Sequence, residues 1–357
     1  MKKDETSDPR HQAAEMSAAP SFDGPPVRLA LVGAGIFVRD AHLPSLLRLP
    51  ERFQIVAIYS RTEATAAALA QQLPHPVDLY TDLEALLARD DIEAVDVALP
   101  IPVMPGVVAQ CLAAGKHVIS EKPIAPDVAQ GQALLAQRRQ HPTPVWMVGE
   151  NWRYEEAFLL AARLIREGAI GRPLTCHWAI YTPITANSKY YHTTWRRDSS
   201  FPGGFILDGG IHHVAALRLI LGEIEEVTAA LVQNSPALPP ADTVSATLRF
   251  ENGVLGAYLA TYATGTPWPP LLHIAGELGC LRVQRREVEV VANGETRRLT
   301  CPGFNGVEVE LAAFADAIRL GQGHRNPPEE ALQDLAVMEA ILQAAEEGRA
   351  VTPPRVV

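Results

Sequence analysis

Short apolar runs alternate with helix-like segments between residues 27 and 149 of the chain. The runs predict strands at residues 27–33, 54–59, 94–98, 117–120 and 145–148, with helices at 36–49, 63–72, 82–88, 103–114 and 130–140. Strands that alternate with helices of this length form βαβ units and a parallel sheet. Because such crossovers are right-handed, this part of the chain predicts a doubly wound α/β domain.

From about residue 150 the pattern changes to strand candidates that are separated by tight turns. These candidates span residues 174–180, 226–232, 244–250, 254–262, 273–275, 279–284 and 287–292. Asn252-Gly253 and Asn293-Gly294 are typical of hairpin turns, so the strands predict a large, mostly antiparallel, open-faced sheet. With helices expected at residues 158–167, 307–320 and 329–347, this part is predicted to be an α+β domain.

The chain is long enough for two domains, because 357 residues exceed the usual size of one hydrophobic core. We predict a disordered tail at residues 1–26 and a doubly wound domain at residues 27–149. Residues 150–357 are then a substrate-binding and oligomerisation domain, whose last helices pack back toward the doubly wound domain. The open sheet face predicts a homodimer or a homotetramer.

Composition narrows the partners and the compartment. The formal net charge of −10 argues against a nucleic-acid surface, which needs clustered Lys and Arg. No apolar run approaches the length of a transmembrane span, and residues 1–26 have no secretory hydrophobic stretch. The four cysteines lack metal or disulfide spacing: Cys111, Cys176, Cys280 and Cys301. We expect a cytoplasmic protein with no metal, nucleic-acid or membrane partner.

The first predicted strand runs into the turn Gly33-Ala34-Gly35, and a helix follows. Glycines in such a turn let backbone N–H groups approach a pyrophosphate at the helix N-terminus. The third position of this fingerprint is Val38 instead of Gly or Ala, so the motif alone could simply end a strand. Its place between a strand and a helix favours dinucleotide binding, so we interpret residues 27–149 as a dinucleotide-binding Rossmann domain.

The end of the second strand indicates which dinucleotide is bound. Ser60-Arg61-Thr62 stands where a carboxylate would hydrogen-bond the ribose hydroxyls of NAD. A guanidinium between two hydroxyls suits a phosphate dianion, so the sequence favours NADP over NAD. Arg61 could also be an ordinary exposed residue at the start of a loop.

Two further segments place titratable side chains where chemistry is expected. Lys122 lies in Glu121-Lys122-Pro123, just after a predicted strand, at the sheet edge where ligands bind. Asp208 and His212 are four residues apart, so a helix places both on one face, where the carboxylate could orient a histidine base. Taken alone, each could be structural: a solvated lysine, or a helix-capping Asp beside a packed His.

Together these segments resemble the Gfo/Idh/MocA family of glucose–fructose oxidoreductase and inositol dehydrogenase relatives. The resemblance covers about residues 27–342 and depends on four segments in order: the Gly-x-Gly turn, Ala-Gly-Lys-His-Val-x-x-Glu-Lys-Pro at 114–123, Arg-Glu-Gly-x-Ile-Gly at 166–171, and Gly-Gly-x-x-x-Asp-x-Gly-x-His at 203–212. Thr-Thr-Trp-Arg-Arg at 193–197 is most similar to an NADP(H)-linked subgroup of fungi and bacteria.

The resemblance implies hydride transfer between nicotinamide and a hydroxyl or carbonyl carbon of a sugar, polyol or small carbonyl compound. The catalytic residues would be Lys122, which stabilises the oxyanion, His212, which exchanges the proton, and Asp208, which positions the substrate or His212. A cis peptide at Lys122–Pro123 is also implied. The cofactor-binding residues that we assign are Gly33, Gly35, Ile36, Phe37, Ser60, Arg61, Thr62, Leu99, Pro100, Glu121, Lys122, Asn151 and Arg196.

The substrate-binding candidates are the catalytic residues and nearby aromatic side chains: Lys122, Trp152, Tyr154, Tyr191, Trp195, Asp208 and His212. The aromatic loop could instead pack against a second subunit. Ile101 and Met104 depart from the family pattern, which often has Asn and His there, so the nicotinamide contacts stay open. The alternative function is a non-catalytic dinucleotide-sensing regulator or scaffold, which the presence of Lys122 and His212 disfavours.

Overall fold

The computed structural model describes residues 24–197, 201, 203–301, 303 and 305–356. Of the tail predicted at residues 1–26, residues 1–23 lie outside the described part of the chain. The described residues form two sheets with helices packed against them.

The first domain contains a six-stranded parallel sheet in the order β3-β2-β1-β4-β5-β6, which is the doubly wound arrangement. Its strands are β1 Val27–Val32, β2 Phe53–Tyr59, β3 Asp78–Tyr80, β4 Ala94–Val97, β5 His117–Glu121 and β6 Trp146–Gly149. Its helices are α1 Leu43–Leu46, α2 Glu63–Ala70, α3 Leu83–Leu87, α4 Met104–Ala113 and α5 Val128–Arg138. β3 was not predicted, because its three residues are largely exposed and form no apolar run.

The connection between β1 and α1 contains a π-helical turn, Val38–His42. Turns of this kind recur at functional sites. In this one, the side chains of Val38 and His42 are buried, whereas Asp40 and Arg39 face the surface side. The turn therefore places the imidazole of His42 in the interior of the domain.

The second sheet has eight strands in the order β14-β13-β12-β11-β7-β10-β9-β8, and only β7 and β10 pair in parallel. Its strands are β7 Pro173–Tyr181, β8 Ile224–Val232, β9 Thr243–Phe250, β10 Leu255–Thr261, β11 Trp268–Gly276, β12 Gly279–Gln284, β13 Glu287–Ala292 and β14 Glu295–Thr300. β14 was missed because its residues are mostly exposed and polar, although Asn293-Gly294 correctly predicts the turn before it. The predicted fold class is confirmed.

Four helices belong to this second part: α6 Glu156–Arg166, α7 Gly204–Leu221, α8 Gly306–Leu320 and α9 Pro328–Glu347. α7 ends at Gly222, whose φ of 91° favours glycine. Contrary to our expectation from sequence, α7 is long and apolar enough to span a membrane, but 78% of it is buried as a core helix. α9 contacts both β8 and α5, so it reaches from the second sheet to the first domain.

Candidate active site

A cavity of about 530 Å³ lies between the two domains. The ends of β1, β4 and β5 form one wall, and the loop from β7 to α7 and the first turns of α7 form the other. Its lining includes Gly35, Ile36, Phe37, Leu99, Pro100, Ile101, Glu121, Lys122, Tyr190, Trp195, Arg196, Asp208, Gly209 and His212. The three residues assigned to catalysis from sequence therefore line one cavity, whose size suits a small molecule.

The Gly-rich turn is shaped to accept a phosphate group. Gly33 has a φ of 119°, and a Cβ there would lie 2.4 Å from the carbonyl oxygen of Ala98, so only glycine fits. A Cβ on Gly35 would meet no atom within 4 Å, so a ligand can approach the backbone there. The turn thus fits a bound pyrophosphate, as dinucleotide binding requires.

Lys122 reaches from the end of β5 to the start of α7. Its Nζ donates to the main-chain oxygen of Asp208 at 2.7 Å and to Asp208 Oδ1 at 3.0 Å. Arg196 donates from Nε to Asp208 Oδ2 at 2.8 Å. Burial alone would raise the pKa of Asp208, but the charges of Lys122 and Arg196 hold it well below its ordinary value. Asp208 is therefore ionised, with a cation on each oxygen. The Lys122–Pro123 peptide is cis, as the resemblance implies.

His212 is held by two neighbours on the side away from the cavity. Its Nδ1 lies 2.6 Å from Oε1 of Glu150, and its ring stacks on Trp152 with centroids 5.2 Å apart. Burial would raise the pKa of Glu150, but the charges of His212, Arg153 and Lys122 lower it below its ordinary value. An ionised carboxylate only accepts, so Nδ1 carries the hydrogen. In the neutral ring, Nε2 is then free to take a proton.

Two family descriptions match the chain. "Oxidoreductase family, NAD-binding Rossmann fold" matches residues 27–149, and "Oxidoreductase family, C-terminal alpha/beta domain" matches residues 162–352. Both describe Gfo/Idh/MocA proteins. The chain belongs to the Gfo/Idh/MocA oxidoreductase family.

Three similar proteins match the chain over about nine tenths of its length. The dehydrogenase FPY6 of Fusarium mangiferae is 35% identical over 339 residues, which covers 89% of this chain and 96% of that protein. D-apiose dehydrogenase of Paraburkholderia graminis is 27% identical over 340 residues, covering 90% and 88%. The crystal structure of an oxidoreductase from Thermotoga maritima has a TM-score of 0.87 and 34% identity, covering 93% of this chain and 100% of that one.

In this family member Glu150, and not Asp208, orients His212. Asp208 was expected to position the substrate or His212; among the described residues its carboxylate oxygens bind Lys122 and Arg196, and no hydrogen bond to His212 is found. Sequence analysis missed Glu150, although a signal was available. Glu150 directly follows β6 at the carboxyl edge of the sheet, as Lys122 follows β5.

The loop before α7 contributes Arg196 to the wall of the cavity. The guanidinium of Arg196 stacks on Trp195 at 4.0 Å and on Tyr190 at 4.8 Å, measured to the ring centroids. Its Nη1 also donates to Thr193 Oγ1 at 3.0 Å. Aromatic stacking and two hydrogen-bond partners hold this arginine rigidly against Asp208.

Several residues predicted for the site lie outside the cavity wall. Trp152 is buried behind His212, where it supports the imidazole ring. Tyr154 is buried in the core beside α8, and its hydroxyl accepts the N–H of Arg325 at 2.9 Å, so its prediction as a substrate contact is wrong. The others outside the lining are Gly33, Ser60, Arg61, Thr62, Asn151 and Tyr191.

The structure also shows where Ile101, Met104 and His213 lie. Ile101 lines the cavity, whereas Met104 is fully buried at the start of α4. His213, the residue after His212, is buried with Nδ1 2.8 Å from the hydroxyl of Tyr258, and burial lowers its pKa well below the ordinary value. His213 is therefore neutral and points away from the cavity residues.

Proposed function

We propose that this protein is an NADP(H)-dependent oxidoreductase that transfers a hydride between nicotinamide and a hydroxyl or carbonyl carbon of a sugar, polyol or small carbonyl compound. One observation carries the proposal. Lys122, from the first domain, and His212, from the second, line the same cavity beside a turn that fits a dinucleotide. When bound, the nicotinamide ring donates or accepts the hydride.

The side chains divide the remaining chemistry. His212 Nε2 takes the proton of a substrate hydroxyl, or returns it to a carbonyl oxygen, while Glu150 fixes the ring through Nδ1. Lys122 uses two of its three N–H groups on Asp208, so the third can stabilise the oxyanion of the substrate. Asp208, held by Arg196, aims the ammonium group of Lys122.

The choice of a hydroxylated substrate rests on the polar groups of the cavity and on one relative. Lys122 and Arg196 provide N–H donors beside the apolar surfaces of Leu99 and Ile101. Few polar groups on an apolar wall are typical of small-molecule sites. D-apiose dehydrogenase, which matches 90% of this chain, is named for a sugar substrate.

The choice of NADP rests on the end of β2. Arg61 is exposed there, and among the described residues no hydrogen bond or ion pair to its side chain is found. A guanidinium without such a partner is available for a phosphate dianion.

Titration with NADP and NAD, followed by tryptophan quenching, should show tighter binding of NADP. Arg61→Ala should weaken NADP binding about tenfold and leave NAD binding unchanged. Equal affinities in the unaltered protein would contradict the preference.

The decisive test of function is a screen for turnover. Sugars, polyols and small aldehydes are offered with NADP or NADPH, and absorbance at the nicotinamide band is followed. At least one class should be turned over, and the turnover should fall about 100- to 1,000-fold in Lys122→Ala. Silence across the screen with intact cofactor binding would favour the regulator or scaffold.

We also propose that copies of the chain associate through the outer face of the second sheet. Small exposed side chains, including Thr247 and Ala257, cover this face around the stacked rings of His177 and His273, whose centroids are 4.4 Å apart. Light scattering should show a dimer or tetramer that Ala257→Arg breaks. A monomeric unaltered protein would contradict this assembly.

A further inference from the structure

A second histidine lies beneath the cavity, between two carboxylates. His42 is only 1% exposed, with Nδ1 2.7 Å from Asp96 Oδ2 and Nε2 2.9 Å from Glu121 Oε1. Ionised carboxylates only accept hydrogen bonds, so the ring must donate from both nitrogens. Burial lowers the pKa of His42, but the charges and hydrogen bonds of Asp96 and Glu121 raise it well above the ordinary value. His42 is therefore an imidazolium.

Glu121 connects this buried group to the cavity. Glu121 directly precedes Lys122, and its side chain is 12% exposed and lines the cavity. His42 holds Oε1, and Oε2 accepts the main-chain N–H of Lys122 at 3.3 Å. Both oxygens are thus fixed. We call Asp96, His42 and Glu121 the carboxylate clamp.

The carboxylate clamp carries a net negative charge, because two carboxylates flank one imidazolium. Glu310 of α8 also faces it and is fully buried. Burial, followed by the charge of Glu121, raises the pKa of Glu310 well above its ordinary value. Glu310 is therefore neutral and leaves the charge of the clamp unchanged. The cations Lys122 and Arg196 both bind Asp208, so neither forms an ion pair with Glu121 among the described residues.

We propose that the carboxylate clamp fixes a negative charge at the nicotinamide end of the cavity and favours the oxidised, cationic ring over the reduced, neutral one. This inference rests on the proposed function, since it assumes that a nicotinamide dinucleotide binds. The ring must lie in this cavity to react beside Lys122 and His212, and Glu121 lines the same cavity. A carboxylate within a few ångströms in a partly buried site stabilises a cation by roughly tenfold or more in affinity.

The test is the ratio of affinities for NADP⁺ and NADPH, measured by calorimetry and tryptophan quenching without a substrate. Glu121→Gln keeps an oxygen for His42 and removes only the charge. It should lower the preference for NADP⁺ about tenfold, mostly by weakening NADP⁺. A matched control is Glu155→Gln, whose carboxyl instead accepts the N–H of Gly306 and should leave the ratio unchanged.

Two substitutions at His42 test whether the imidazole fixes Glu121. His42→Gln can still donate from the position of Nε2, whereas His42→Asn can donate only toward Asp96. Both variants remove the charge of the imidazolium, so they are compared with each other: the ratio should be at least about threefold higher in His42→Gln than in His42→Asn, where Glu121 loses its donor. An unchanged ratio in a folded Glu121→Gln, or equal ratios in the two His42 variants, would overturn the inference. Failure of the unaltered protein to bind NADP or NAD would instead contradict the proposed function.

Discussion

His42 and His212 are held by carboxylates at the two ends of one site, but they differ in what their second ring nitrogen meets. Both nitrogens of His42 face carboxylates, and the side chain is 1% exposed. His212 has a carboxylate on Nδ1 only, and its side chain is 18% exposed and lines the cavity. The first ring is locked in one protonation state, whereas the second can exchange a proton with a ligand.

This difference shows that a histidine–carboxylate pair does not by itself mark a catalytic base. The number of carboxylates and the access to the remaining nitrogen decide the role. The adjacent residues Glu121 and Lys122 differ in the same way. Glu121 belongs to the carboxylate clamp, whereas Lys122 lines the cavity and donates to Asp208. The end of β5 thus supplies both a carboxylate bound by His42 and an ammonium group that, in our proposal, contacts the reacting oxygen.

The largest effect on turnover is expected for Lys122→Ala, which removes a side chain of the cavity and leaves the carboxylate clamp intact. Loss of the ammonium group should lower kcat by about 100- to 1,000-fold, because the oxyanion loses its charged donor. Cofactor affinity should stay within about threefold. Steady-state kinetics on the substrate found by the screen measures the first effect, and tryptophan quenching measures the second.

Lys189→Ala is the matched control, since Lys189 does not line the cavity and forms an exposed ion pair with Asp40 at 3.0 Å and a cation–π contact with Tyr190. Such pairs contribute little, so kcat should change less than about threefold. Near-normal turnover in Lys122→Ala would remove Lys122 from the chemistry.

A smaller loss is expected for Glu150→Gln. The amide can donate to Nδ1 of His212, which favours the ring form whose hydrogen is on Nε2 and which cannot accept a proton from the substrate. We expect kcat to fall about 100-fold, with partial recovery in Glu150→Asp. Steady-state kinetics measures this loss, and a kcat of Glu150→Gln within about threefold of that of the unaltered protein would contradict the role of Glu150.

The smallest expected effect concerns stability at Glu310, beside the carboxylate clamp. Because burial and the charge of Glu121 raise its pKa, Glu310 is protonated when folded and ionised when unfolded near neutral pH. The unfolded chain binds fewer protons, so stability falls as pH rises above the ordinary carboxyl range, by roughly 1 kcal/mol per pH unit. Glu310→Gln removes this dependence.

Urea unfolding between pH 5 and pH 8 should therefore show a stability advantage of Glu310→Gln over the unaltered protein that grows with pH. Glu346→Gln, the same substitution on the exposed side of α9, serves as the control and should give a constant difference. Parallel curves for Glu310→Gln and the unaltered protein would show that Glu310 is ionised when folded.

The fold was largely predictable because most strands are continuous or alternating apolar runs, as in β6 and β9. β3 and β14 escaped because their pairing is set by neighbouring strands and not by their own apolar residues. Short-range patterns cannot show which face of a strand meets a neighbour until the sheet order is known.

The site was predictable only where one short segment holds the chemistry, as in Glu121-Lys122-Pro123 and in the segment with Asp208 and His212. His42 is 54 residues from Asp96 and 79 from Glu121, and Glu150 is 62 residues from His212. Only the order of the sheet and the packing of α7 bring these partners together. Tyr154 follows β6 closely in sequence, but the packing of the helices places it in the hydrophobic core beside α8 and outside the cavity lining.

The central claim is that the open nitrogen of His212 exchanges the substrate proton, whereas His42 only fixes a charge. The most direct test is single-turnover hydride transfer in His212→Asn, which keeps a donor for Glu150 and removes Nε2. The rate should fall at least about 100-fold, with the affinities for NADP⁺ and NADPH unchanged. A rate near that of the unaltered protein, or a loss explained by weaker cofactor binding, would contradict the account.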